Sequence, residues 1–186
     1  MMKFEFHDVH AAMHNVLRAI EHMHSAGVVH CDIRPKNVLM KQRMGDKRAH
    51  QVIGKWQATL GDFDVSLDKG TRATYSQTQT PSMGPRGFEG LLTMAPEVRA
   101  PHFQSCTFAS DMYSYGGLLF VAFYPDISPA SMPGGELMVS EHKRNGDVAP
   151  LVRKLLHKEP KERPSASEAF AYPLFADAGA NLLSEV

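Results

Sequence analysis

Eight residues, His30-Cys31-Asp32-Ile33-Arg34-Pro35-Lys36-Asn37, stand between the apolar pair Val28-Val29 and the apolar run Val38-Leu39-Met40. That alternation predicts a short strand, a polar loop and a second short strand. The loop carries a carboxylate, two fixed cations and a carboxamide. Asp32 can take a proton from a hydroxyl nucleophile, Arg34 and Lys36 can neutralise phosphate charge, and Asn37 can offer its carbonyl oxygen to Mg2+. Phosphoryl transfer needs such a set, because its catalysis is mostly positioning and charge neutralisation.

The rest of the chain suits one folded domain around that loop. Its 186 residues are 43% hydrophobic and 22% charged, enough for a sizeable core. Formal net charge is zero, which argues against nucleic acid or a membrane surface as partner. Cys31 and Cys106 give no disulfide framework and suit a reducing compartment. No apolar run would span a bilayer and the first ten residues lack a signal-peptide core, so a cytoplasmic location is expected.

Periodicity predicts a helix over 8–25, with Val9, Met13, Val16, Leu17, Ile20 and Met23 on its apolar face and Gly27 after its last turn. His10 and His14 share a face and could bind Zn2+, but no third or fourth ligand is evident, so a solvated face is expected. Residues 41–57 predict an enlarged hairpin loop. Its cations, Lys41, Arg43, Lys47 and Arg48, fit a solvated surface better than an anion site. Residues 65–93 and 125–135 predict loops, an apolar helix opens near Ser110 or Asp111, and another helix covers 149–156. Ser165 and Glu168 form a capping box for a last helix.

The octet resembles the protein-kinase catalytic loop, H-R-D-L-x-x-x-N, with Cys31 for Arg and Ile33 for Leu. Four further segments resemble kinase motifs, in kinase order. Asp62-Phe63-Asp64 resembles D-F-G, with Asp64 for glycine. Ala95-Pro96-Glu97 matches A-P-E. Ser110 to Gly116 resembles S-D-x-W-S-x-G, with Tyr113 for Trp. Residues 157–168 resemble the segment before the last kinase helix. Tyr172 to Phe175 resembles the family's closing H-P-x-F. The threonine that normally precedes A-P-E is absent, since Gly90 stands at its place.

The resemblance implies an α+β, mainly α fold: the kinase C-terminal lobe, helices around small β-hairpins, over 1–175 with a tail over 176–186. It implies ATP and Mg2+ as cofactors and a protein substrate. It makes Asp32 the catalytic base and Arg34 the support for the transferring phosphate. Lys36, Asn37, Leu39 and Asp62 would bind nucleotide, with Asn37 and Asp62 as metal ligands and Leu39 beneath the adenine. Asp111 would anchor the catalytic loop, Arg163 would pair with Glu97, His24 matches the histidine that ends the kinase helix before the loop, and His30 and Phe63 would face the other lobe. Residues 65–93 would be the activation segment, with Thr71, Thr74, Tyr75, Ser76, Thr78, Thr80 and Ser82 as phosphorylation candidates.

Neither a Gly-rich loop nor a V-A-I-K-type lysine is found, so an N-terminal lobe is expected to be absent. Residues 1–186 alone are then expected to transfer little phosphate, to bind ATP weakly, and to self-associate or meet a partner protein over the uncovered apolar face. Two functions follow: a serine/threonine kinase in a full-length context, or a pseudokinase acting as an interaction module, which Cys31, Asp64 and the lost threonine favour. A metal or nucleic-acid module built on the histidines and the basic loop is the third, disfavoured reading.

Overall fold

Apolar residues at three- and four-residue spacing wind Phe6–Ser25 into helix α1, whose inner face buries Ala12, Met13, Val16, Leu17, Ile20 and Met23. Gly27 ends it with φ 82°, a left-handed turn that glycine adopts without steric cost, and its amide donates to the His24 carbonyl at 3.1 Å. The computed structural model describes residues 5–44, 55–68, 93–99, 106–125 and 147–176. Lys47, Arg48, the phosphorylation candidates from Thr71 to Ser82, Gly90 and the tail beyond Ala176 lie outside them.

Strand β1 (Val28–Val29), a 3₁₀ turn over Pro35–Asn37 and strand β2 (Val38–Gln42) follow α1, then β3 (Trp56–Leu60) and β4 (Leu67–Asp68). The two strands flanking the octet do not pair with each other. β1 pairs antiparallel with β4, setting Val29 opposite Leu67, and β2 pairs antiparallel with β3, setting Val38 opposite Leu60. The octet therefore bridges two small sheets. Two expectations need correction. Lys41 and Gln42 continue β2, and Trp56 and Gln57 open β3, because ladder pairing extends through them. Residues 67–68 are strand, since β1 offers them an edge.

Among the described residues the remaining α-helices are α2 (Pro96–Arg99), α3 (Phe108–Phe123), α4 (Val148–Leu155) and the single turn α5 (Ala166–Ala169). Thr107 caps α3. Its hydroxyl accepts from the Ser110 amide at 3.2 Å while the Ser110 hydroxyl accepts from the Thr107 amide at 2.8 Å. Asp111, free of capping, is turned inward. α3 is apolar on nearly every side and runs through the core against α1 and α4. Tyr115 is fully buried, and its hydroxyl donates to the Met13 carbonyl at 3.0 Å, tying α3 to α1. Ser165 and Glu168 form the expected box at α5.

Gly116 lets α3 and α4 approach: a Cβ there would meet the Leu155 Cβ at 2.7 Å and the Leu156 Cδ2 at 3.2 Å. Gly116→Ala is therefore expected to destabilise the protein by about 1–3 kcal/mol, the range for overpacking a filled core. A urea titration checks this, and an unchanged midpoint would contradict it.

Candidate functional site

The octet and the Gly61-Asp62-Phe63 turn are stitched into one unit. The Gly61 amide donates to the Asn37 carbonyl at 2.9 Å, and His30 Nε2 meets the Gly61 carbonyl at 3.2 Å. The Asp32 amide donates to His30 Nδ1 at 3.3 Å. With Nδ1 an acceptor, the proton sits on Nε2 and points at Gly61. His30 is fully buried, its ring centroid 4.9 Å from that of Phe63. It thus faces the Gly61 turn, correcting the expectation that it faces another lobe. Phe63 and Leu39 are 48% and 62% exposed and do present apolar surface.

Asn37 Nδ2 donates at 2.8 Å to both the Asp32 carbonyl and Asp32 Oδ2. Both amide hydrogens are thereby used, which leaves the Asn37 carbonyl oxygen directed elsewhere. Asn37 is buried, Asp32 half-buried and Asp62 exposed. Arg34 Nε lies 2.9 Å from Asp32 Oδ1 as an ion pair, without the alignment of a hydrogen bond. Lys36 is exposed. Asp62 has φ 67° and Cys31 φ 70°, the two non-glycine residues with left-handed backbone among those described. Such conformations persist where surroundings enforce them, and they gather at working sites. The carboxylate and the amide oxygen are hard donors of the kind Mg2+ takes, so Asp62 and Asn37 fit that ion.

At Cys31, Asp111 supplies the enforcement. Its Oδ2 accepts from the His30 amide at 2.7 Å and its Oδ1 from the Cys31 amide at 2.9 Å, while His24 Nε2 lies 3.0 Å from Oδ2. The carboxylate is 1% exposed. The expected anchor is in place, with His24 as its second partner.

Arg163 and Glu97 pair as the sequence implied. The guanidinium donates from Nη1 at 2.6 Å and from Nη2 at 2.8 Å to the two carboxylate oxygens. Its other hydrogens go to the carbonyls of His157, Ala109 and Lys158, so all five donors are used. The same group lies 4.9 Å above the Tyr113 ring, so tyrosine retains an aromatic face for the cation where the family has tryptophan. The pair fixes α2 to the segment before α5.

His10 and His14 are half-buried, correcting the expectation of a solvated face. His10 bonds the Leu174 carbonyl, and His14 packs edge-on against Phe170 and Phe175. Burial, then the charges of His10 and Arg18, hold the His14 pKa below its usual value. Among the described residues no cluster of three candidate ligands occurs. The Cys31 thiol is pushed far up, first by its hydrogen bond with Cys106, then by burial, then by the charges of Cys106, Asp111 and Asp32. Nothing in the sequence signals Cys106 as a neighbour of Cys31. The cap at Thr107 was missed too, because Ser110 and Asp111 are equally good capping residues.

The sequence model described as "Protein kinase domain" matches residues 1–175. The chain is 28% identical over 171 residues to the serine/threonine-protein kinase nekl-2 of Caenorhabditis elegans, covering 86% of this chain and 41% of that one. It is 26% identical to ribosomal protein S6 kinase 2 alpha of Gallus gallus, covering 91% and 22%. It thus spans less than half the length of these curated relatives. Among solved structures, the autoinhibited serine kinase domain of titin superposes with TM-score 0.64 at 21% identity, covering 94% of this chain and 52% of that one. The Rad53 kinase domain with SCD2 and AMPPNP gives 0.61 at 19%, covering 92% and 60%. These likenesses establish a protein-kinase-like fold.

Proposed function

The chain belongs to the protein kinase domain family, and from that premise we propose that it carries the catalytic and metal-binding loops of an ATP-dependent kinase acting on serine and threonine hydroxyls of proteins. One observation carries the reading: Asp32, Asn37 and the Asp62 turn are held together by hydrogen bonds from both loops, on a base fixed by Asp111. Asp32 accepts the proton of the attacking hydroxyl, and Asn37 keeps its carboxylate oriented from 2.8 Å. Asn37 and Asp62 would hold Mg2+ on ATP, where the ion would neutralise charge on the transferring phosphate. Arg34 and Lys36 would add positive charge there, and Leu39 would form the floor beneath the adenine. The names of the curated relatives support serine/threonine specificity.

A second reading, an interaction module without transfer, is supported by Cys31, by Asp64 at the glycine position and by exposed Leu39 and Phe63. Over that face a partner protein or a second copy would dock. Asp62→Ala in the full-length protein separates the readings. Loss of Mg2+-dependent ATP binding and of radiolabel transfer to a generic protein substrate supports the enzyme, and unchanged transfer removes Asp62 from the metal role.

Regulation gives a further expectation. Arginine before the catalytic aspartate can clasp a phosphate in charge-assisted bonds, and Cys31 has no such donor. Phosphatase treatment is therefore expected to change transfer by no more than about twofold, since no cation stands at that position. Silencing by phosphatase would contradict this.

A further inference from the structure

The octet carries two fixed cations, Arg34 and Lys36, and the fold gives them different surroundings. Arg34 is half-buried with Nε 2.9 Å from Asp32 Oδ1, so its charge is already matched by the candidate base. Lys36 is exposed, and among the described residues no carboxylate pairs with its ammonium. It sits in the middle of the 3₁₀ turn Pro35–Asn37. On one side of it stands a proline with a fixed φ, on the other a buried Asn37 that holds Asp32 from 2.8 Å. Successive side chains of a 3₁₀ turn diverge by about 120°, so Lys36 departs from the direction in which Asn37 meets Asp32. Its field still reaches the transferring phosphate, while its ammonium donors stay open to a direct partner.

The turn also fixes where that charge stands relative to the base. Neighbouring Cα atoms are about 3.8 Å apart, and an extended peptide advances about 3.3 Å per residue. A cation adjoining Asn37, which itself touches Asp32, falls opposite a substrate position within about three residues of the acceptor hydroxyl. Resting on the phosphotransfer reading above, we propose that Lys36 selects protein substrates bearing an anionic side chain, carboxylate or phosphate, within about three residues of the acceptor serine or threonine. The selection works by charge-assisted contact with an anion and by repulsion of a cation at the same place. The carboxylates of the two loops do not take the ammonium. Asp32 is held by Asn37 and Arg34, Asp62 is the proposed Mg2+ ligand, and exposed Asp64 forms no ion pair among the described residues.

The test uses the full-length protein, Mg2+-ATP and serine peptides of alanine and glycine. At each position up to about three residues on either side of the acceptor, the peptides carry glutamate, phosphoserine, alanine or arginine. At one or more positions kcat/KM is expected to be about tenfold higher for glutamate than for arginine, since an exposed pair contributes up to about fivefold and like charges oppose by a similar factor. KM carries the difference, and added salt shrinks it. A faster rate with phosphoserine than with glutamate assigns the anion to an earlier phosphorylation of the substrate, and equal rates assign it to acidic residues. In Lys36→Glu the ratio is expected to invert, and in Lys36→Met to fall toward unity. Each ratio is taken on one preparation, so any effect of the change on ATP cancels. Rates for glutamate and arginine within about twofold, a preference for arginine, or an order unchanged in Lys36→Glu would overturn the proposal and leave the phosphotransfer reading standing. Transfer to no peptide at all would overturn that reading, and this proposal with it.

Discussion

Asp111→Ala is expected to destabilise the protein by about 3–5 kcal/mol, the range for removing one partner from a buried charged network. The carboxylate accepts from two backbone amides and meets His24, all at or below 3.0 Å. After truncation the His30 and Cys31 amides lose their acceptor next to a fully buried imidazole, where water has little access. An unsatisfied buried donor costs about 1–3 kcal/mol, and two such donors reach the range above. Domains of this size are stable by about 5–15 kcal/mol, so the variant should remain folded only with a greatly reduced margin. Asp111→Asn keeps one oxygen acceptor and should lose less. Urea unfolding of both variants measures the effect, and a loss below about 1 kcal/mol for alanine would show that the loop holds its left-handed turn at Cys31 by other means.

How much of this was legible from residues alone depends on the range of the interaction. The Ser165–Glu168 box is local and was read directly. α1 was read to within two residues, because its periodic apolar face meets one continuous core. Arg163 with Glu97 and Asp111 with the catalytic loop join residues far apart in the chain, and only the order of motifs pointed to them. Where no motif spoke, distant partners stayed hidden. Cys106 beside Cys31, and Asp8 accepting from the Lys55 amide at 2.6 Å, pair residues whose types alone name no partner. Strand bounds around 41–57 were missed for a different reason. β2 is exposed beyond Val38, so the apolar alternation that marks a half-buried strand is weak there, and pairing with β3 decides its length. His30 was placed facing outward because the family motif states its presence. Its orientation is set by the Gly61 carbonyl and the Asp32 amide.

The largest functional loss is expected at Asp32. Asp32→Asn should lower phosphate transfer by about 10²–10⁴-fold, the contribution of a positioned general base. Asparagine is the informative choice because Asp32 has two duties. Its Oδ2 accepts from Asn37 Nδ2 at 2.8 Å, and an asparagine carbonyl oxygen can keep that bond. Alanine would leave Asn37 only its bond to the backbone carbonyl of residue 32 and so disturb the proposed metal ligand as well. Its other oxygen, Oδ1, faces Arg34 Nε at 2.9 Å. Asparagine at 32 would present an uncharged group there, so the guanidinium loses its counter-charge and is freer to reach phosphate. Affinity for Mg2+-ATP should therefore hold or rise while turnover falls, the pattern of an interaction made only in the transition state. Turnover and nucleotide affinity measured on the same full-length preparations separate the two effects. Transfer within about tenfold of the unaltered protein would remove Asp32 as the base. Equal losses in affinity and turnover would instead assign it to holding Asn37.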